Sequence, residues 1–263
     1  MGSLILGGII LGIYTGLLGY VGAKTGLSLD LLSQRAFGEK GSYLPSAMTS
    51  FTQIGWFSVG SFVSGGTATP NFARFAKNGK SGAITTVVAF FIGNSLMFFF
   101  GAVSSIFVGG NDIFEVMVRL NLFYLAVLVL GLNIWTTNDN ALYTAGLGLA
   151  NIFHQRKKPM VLLSGIIGTV ASVWLYYNFC GWLNILNCTL PPVGMILVLA
   201  YFMNKEDFET DQPKLKTIDW FAVAGVILGA IVANLLHWGI ASINGMAVAA
   251  VCYCVGQAVN KRK

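Results

Sequence analysis

Eight stretches of this chain, at 3–22, 44–64, 82–108, 122–150, 160–180, 183–203, 219–238 and 240–258, are each apolar over about the twenty residues that a helix needs to cross a bilayer. That recurrence restricts the fold to one class. Hydrocarbon offers the backbone no hydrogen-bond partners, so each segment must satisfy its own, and the chain is expected to form an all-α integral membrane bundle of about eight embedded helical segments. Only 10% of the 263 residues are charged, against roughly 25% in a soluble domain. Asn204–Thr217 is the one strongly polar linker, so 1–263 is expected to be a single transmembrane domain.

The net charge of +6 is not a nucleic-acid signal, because the basic residues sit in short clusters beside apolar segments, such as Arg156-Lys157-Lys158 and Lys261-Arg262-Lys263. Cys180, Cys188, Cys252 and Cys254 have no zinc-ligand spacing and are expected to be buried, inert thiols. The N-terminal run lacks a basic leader and extends from Leu4 to about Val21, which is long enough to span rather than to be cleaved. No HExxH, GxSxG, Walker loop or CxxC is present, so the chain is not expected to be an enzyme.

Loop charge sets the expected orientation, with the C-terminus, 204–218, 154–158 and the Arg74–Lys80 loop in the cytoplasm and the acidic 109–119 loop outside. One segment conflicts with this scheme. Lys24, Arg35 and Lys40 precede 44–64 and Arg74, Lys77 and Lys80 follow it, so both flanks carry cytoplasmic charge. The stretch 44–73 is therefore expected to enter the membrane and return, or to sit in a frustrated topology, with Gly60, Gly65 and Gly66 permitting the turn. In the sixth segment Pro191-Pro192 removes backbone donors and implies a broken helix.

The fourth segment holds a dense polar cluster. Asn133, Thr136, Thr137, Asn138, Asp139 and Asn140 fall near bilayer depth, where polar groups face a bundle interior or a water-filled cavity, usually for binding. Asn133, Thr136 and Thr137 share one helical face, and their neutral oxygens suit a weak sodium site; Asn138 lies about 100° round the helix, and Asp139 is a possible proton carrier. The competing reading has the threonines bonding back to their own helix and the asparagines joining helices. Gln53 and Trp56 also share a face, ahead of the hydroxyl- and glycine-rich run Ser61–Thr67, which has the composition of an unwound helix. An aromatic plane beside an amide suits a flat heterocycle, although both residues would serve equally as lipid-facing aromatic and interhelical contact.

Several longer strings are distinctive together. Leu11–Thr15, Leu18–Leu27, Thr52–Phe57, Arg74-Phe75, Phe91–Phe98, Gly131–Tyr143 and Pro191–Gly194 resemble, in order and along essentially the whole chain, the bacterial nucleobase–cation symporter family. The resemblance implies a leucine-transporter-like inverted-repeat fold in depleted form. On this resemblance the chain is expected to begin at the family's second helix and to pass from the third, at Val59-Gly60, into the middle of the sixth at Ser61-Phe62. It also implies substrate-binding roles for Gln53, Trp56, Phe62, Ser64 and Asn138, with Trp56 stacking on the base, and sodium ligation by Asn133, Thr136 and Thr137. Cation-coupled import of cytosine or a related flat nucleobase through the bacterial inner membrane is then expected, with sodium or a proton as the coupling ion and no cofactor. Two alternatives remain open: a non-transporting remnant that acts as an assembly partner, including as a homo-oligomer, and a symporter for a purine or hydantoin.

Overall fold

The computed structural model describes residues 2–59, 65–109, 113–210, 213, 215–236 and 239–260, with the side chains of 2–8, 55–59, 65–66, 94, 176 and 260 excepted. These residues form α1 (Gly2–Thr25), α2 (Leu29–Phe37), α3 (Tyr43–Val59), α4 (Gly65–Ala68), α5 (Pro70–Ala73), α6 (Gly79–Val87), α7 (Asn94–Val108), α8 (Ile113–Arg119), α9 (Phe123–Phe153), α10 (Lys157–Tyr177), α11 (Phe179–Met203), α12 (Lys205–Glu209), α13 (Trp220–Leu235) and α14 (Ala241–Asn260). Among the described residues there is no strand. Each of the eight apolar segments contains a helix. Four helical runs are long and apolar enough to cross a membrane, Gly79–Val108, Lys157–Leu175, Phe179–Met203 and Ala241–Val259, while Ile9–Thr25 and Trp220–Leu235 are apolar but shorter. A wider turn at Val88–Gly93 joins α6 to α7 without a break.

The helices pack in three groups. α1 runs antiparallel to α6 and α7, with Gly19 against Thr86 and Gly12 against Phe91. α3 lies between α9 and α10. α11, α13 and α14 form the third group, and its core of Val193, Ile196, Leu197, Ala222, Val226 and Tyr253 also receives Leu18 and Val21 from α1 and Leu29, Leu32 and Phe37 from α2. The short helix α2 starts at Ser28, whose hydroxyl accepts from the Leu31 N–H, and stops at Gly38, whose φ of 86° suits a residue without a Cβ. Large apolar side chains such as Phe107, Tyr124, Val170 and Val173 point outward from α7, α9 and α10, as a lipid-facing surface requires.

Two expectations are corrected. α11 is not broken at Pro191-Pro192 but continues from Phe179 to Met203 with both prolines inside it. Pro191 has no N–H for the Asn187 carbonyl four residues earlier, and the Ser242 hydroxyl of α14 donates to that oxygen instead, at 3.0 Å. The Pro192 ring lies against Gly229 of α13 and Gly245 of α14, where a Cβ would come within 3.2 Å of it. The cysteines are also not uniformly buried: all four are free, Cys188 is buried, and Cys180 and Cys254 are exposed.

The two ends of the bundle differ in chemistry. The connections after α1, α2, α5, α9 and α11 meet at one end, which carries Lys24, Arg35, Lys40, Arg74, Lys77, Lys80 and Arg156–Lys158. There Arg35 donates to the Asp207 carbonyl at 2.7 Å, and Tyr43 Oη pairs with His154 Nε2 at 2.7 Å. The Glu39 and Lys40 N–H groups donate to the Lys216 and Thr217 carbonyls. Both the start of α3 and the chain that follows α5 lie at this basic end.

Candidate functional site between α3 and α9

The register between α3 and α9 fixes which candidate residues share a level. The two helices run antiparallel, with Tyr43 bonded to His154, Ser46 to Asn151 and Ser50 to the Ala145 carbonyl. Gly148 permits this approach, because a side chain there would overlap Ser50. Carried further along both helices, the register sets position 53 level with 141–145 of α9 and position 56 level with 138–142.

Gln53 is buried, at 6% exposure. Asn138 is half-buried, and its Oδ1 is enclosed with no hydrogen-bond partner. A buried carbonyl without a donor costs about 1–3 kcal/mol, which a ligand N–H would recover. Trp56 belongs to α3, but its side chain lies outside the described residues, as do Phe62 and Ser64 altogether.

Beyond the undescribed 60–64 stretch, Thr67 of α4 is buried, and its hydroxyl meets Tyr14 Oη of α1 at 2.9 Å. The Tyr14 ring reaches this point because position 194 of α11 is glycine, and any side chain there would occupy the place of the phenol. Tyr14, Thr67 and Gly194 thus bring α1, α4 and α11 together. The sequence reading did not select Tyr14 or Thr67 as site residues, although both stand in strings it quoted.

The proposed sodium ligands are not drawn together into a closed shell by the described residues. Asn133 and Thr136 are exposed and Thr137 is half-buried. The Thr136 hydroxyl donates to the carbonyls of Leu132, at 3.2 Å, and Asn133, at 3.0 Å. This is the back-bonding alternative, and it leaves the hydroxyl lone pairs free to accept or ligate. Asp139 and Asn140 are also exposed, so α9 presents a polar face uncovered by the rest of the chain.

A second polar assembly, unforeseen in the sequence reading, occupies the basic end. Asp30 is 5% exposed and accepts from the Ser46 hydroxyl at 2.6 Å. Asn151 Nδ2 donates to Ser46 Oγ at 2.9 Å and to Ser42 Oγ at 3.1 Å, while Gln34 Nε2 donates to Asn151 Oδ1 at 2.6 Å. Asn71 Oδ1 accepts from the Leu29 N–H at 2.8 Å, Arg74 donates to Tyr143 Oη, and Lys157 Nζ sits 3.4 Å above the Tyr143 ring. Burial pushes the Asp30 carboxyl up to about 6, against the opposing effects of the Ser46 hydroxyl, its own backbone and the Arg74 charge.

Comparison with known proteins fits this arrangement. The family described as permeases for cytosine/purines, uracil, thiamine and allantoin matches residues 1–69 and 58–258, two pieces that overlap at 58–69. The chain is 35% identical to the cytosine permease of Escherichia coli strain K12 over 354 residues, covering 99% of this chain and 84% of that one. The cytosine permeases of E. coli O6:H1 strain CFT073 and of E. coli O157:H7 match it to the same extent. The aligned span of 354 residues exceeds the 263 residues present, so part of each relative has no counterpart here.

Proposed function

Since the chain belongs to the family of permeases for cytosine, purines, uracil, thiamine and allantoin, we propose that it carries a flat nucleobase, with cytosine the first candidate, across the bacterial inner membrane together with a cation. The observation that carries this reading is the enclosed Oδ1 of Asn138, without a partner among the described residues, level with position 56 and about one turn beyond the buried amide of Gln53. A pyrimidine edge presents N–H donors and carbonyl or ring-nitrogen acceptors in one plane, and two amides facing a common space supply the complementary set. Trp56, Phe62 and Ser64 complete the pocket in this proposal, with Trp56 stacking on the ring.

Asn133, Thr136 and Thr137 are proposed as sodium ligands and Asp139 as the alternative, proton-carrying group. The inverted-repeat fold of the leucine-transporter type is proposed in depleted form, with 44–73 entering and returning at the basic end, which faces the cytoplasm and places the C-terminus there. The overlap of the two family matches at 58–69 and the meeting of both flanks at one end support that reading.

A second reading is favoured by one observation. The polar residues Asn133, Thr136, Asp139 and Asn140 lie exposed on α9, and if α9 crosses the bilayer this is costly in lipid and calls for another helix to cover them. On this reading the chain is a non-transporting assembly partner or works only as a homo-oligomer. Sodium-dependent uptake of radiolabelled cytosine by cells lacking their own permease separates the two. Uptake above background supports transport, whereas none from well-inserted protein supports the remnant.

A further inference from the structure

Asp30 stands outside the mid-membrane cluster, in a helix that does not span, yet its carboxyl is enclosed where four elements converge. It lies in the first turn of α2 and accepts from Ser46 of α3 at 2.6 Å. Ser46 is held in turn by Asn151 of α9. The preceding residue of the chain, Leu29, is fixed through its N–H to Asn71 of α5. From these contacts we infer that Asp30 is a proton-binding site, loaded while the contact of α2 with α3, α5 and α9 is closed and unloaded when that contact opens.

A carboxylate keeps its charge in water, but here the packed elements supply one hydroxyl donor and exclude solvent. The charged groups nearby do not neutralise it. Arg74, at the end of α5, acts on it only through space and spends a donor on Tyr143. Arg35 on α2 itself donates to the Asp207 carbonyl, and Lys157 of α10 caps the Tyr143 ring. On the remaining neighbours, Asp219 before α13 pairs with Lys216, Glu209 of α12 with Lys24, and His154 at the end of α9 with Tyr43. Proton binding therefore favours the closed contact, and ionisation favours the state in which water reaches Asp30.

The sign follows from burial, which lifts the closed-state carboxyl from 3.8 to about 6. The closed contact is favoured most below about pH 4, loses ground as pH rises towards 6, and changes no further above that. In a permease, a group that gives up its proton when the basic end opens couples a proton to that step, and this part rests on the transport reading. The proton equilibrium itself does not.

The test uses purified full-length protein carrying Ser33→Cys, a fully buried position on α2 whose hydroxyl has no partner, and Lys77→Cys as an exposed reference. Maleimide labelling of each site is followed by peptide mass spectrometry between pH 4.5 and 7.5. The ratio of buried to reference labelling is expected to rise on the order of ten-fold across this range and level off above pH 6. Asp30→Asn is expected to hold the ratio low and flat. Ser46→Ala, which removes a donor that favours the ionised form, is expected to move the plateau to higher pH. A ratio independent of pH in the parent, or an unchanged rise in Asp30→Asn, overturns the site. Cytosine uptake is measured separately: a pH-dependent ratio without uptake keeps the proton site and defeats the transport reading, while uptake with a flat ratio does the reverse.

Discussion

The Tyr14 phenol fills the space that a side chain at Gly194 would need, and from there it meets the Thr67 hydroxyl at 2.9 Å. One glycine on α11 thereby decides whether α1 reaches α4. Gly194→Ala is expected to push Tyr14 aside and to cost about 1–3 kcal/mol of stability through overpacking. Tyr14→Phe, which keeps the ring and removes the hydroxyl, is expected to cost about 1 kcal/mol. Thermal unfolding of the purified protein in detergent checks both, and an alanine that leaves the midpoint unchanged would show that the helices separate without strain.

On the proposed function, Asn138 and Gln53 bear most directly on substrate. Replacing either with Ala is expected to weaken cytosine uptake about ten-fold to a hundred-fold at low substrate concentration, the equivalent of one or two ligand hydrogen bonds to buried groups. The stability of Asn138→Ala should hardly change, because its Oδ1 has no partner within the protein to lose. A loss of uptake with unchanged unfolding marks a ligand contact; matching losses in both mark a structural one.

Changing Thr136 and Thr137 together to Ala is expected to abolish sodium dependence of uptake while leaving α9 helical. The Thr136 hydroxyl now bonds back to Leu132 and Asn133, so its removal leaves no carbonyl of the helical ladder without its usual donor. Uptake at graded sodium concentrations reads the result. Undiminished dependence removes these residues from the cation site.

Stability should carry the imprint of Asp30. Its carboxyl, lifted to about 6, binds a proton more tightly in the folded chain than in the unfolded one. The stability it confers is complete below about pH 4 and is lost as pH rises through 6, an effect of about 3 kcal/mol at most. The thermal midpoint of the parent protein is expected to fall across that interval relative to Asp30→Asn. Parallel curves for the two proteins would contradict it.

Helix at each of the eight apolar segments was readable because helix formation in an apolar run is a property of single segments, although among the described residues only four helical runs are long and apolar enough to cross a membrane. All eight contain helices, and the polar cluster from Asn133 to Asn140 does lie within one of them. The error at Pro191-Pro192 has the same origin. Within one helix the prolines leave carbonyls unpaired, and only the neighbouring Ser242, 55 residues away, shows how Asn187 is satisfied. The basic-end network escaped notice for a related reason, since Asn151 stands 105 residues from Ser46 and 117 from Gln34. No periodicity links such positions. Their common signal was only that small hydroxyl and amide residues recur near the basic ends of α2, α3 and α9, where ordinary capping explains them as well.

The bond between Ser242 and Asn187 gives α11 a property its own sequence could not supply. Where a helix closes all its bonds internally, it bends or straightens on its own account. Here the stretch before Pro191 is held through the Asn187 carbonyl by a hydroxyl that belongs to α14, and the Pro192 ring beyond it rests on Gly245 of the same helix. Any flexing at the prolines must either carry α14 along or part from it at both places, so the two helices keep step as one lever until both holds are released.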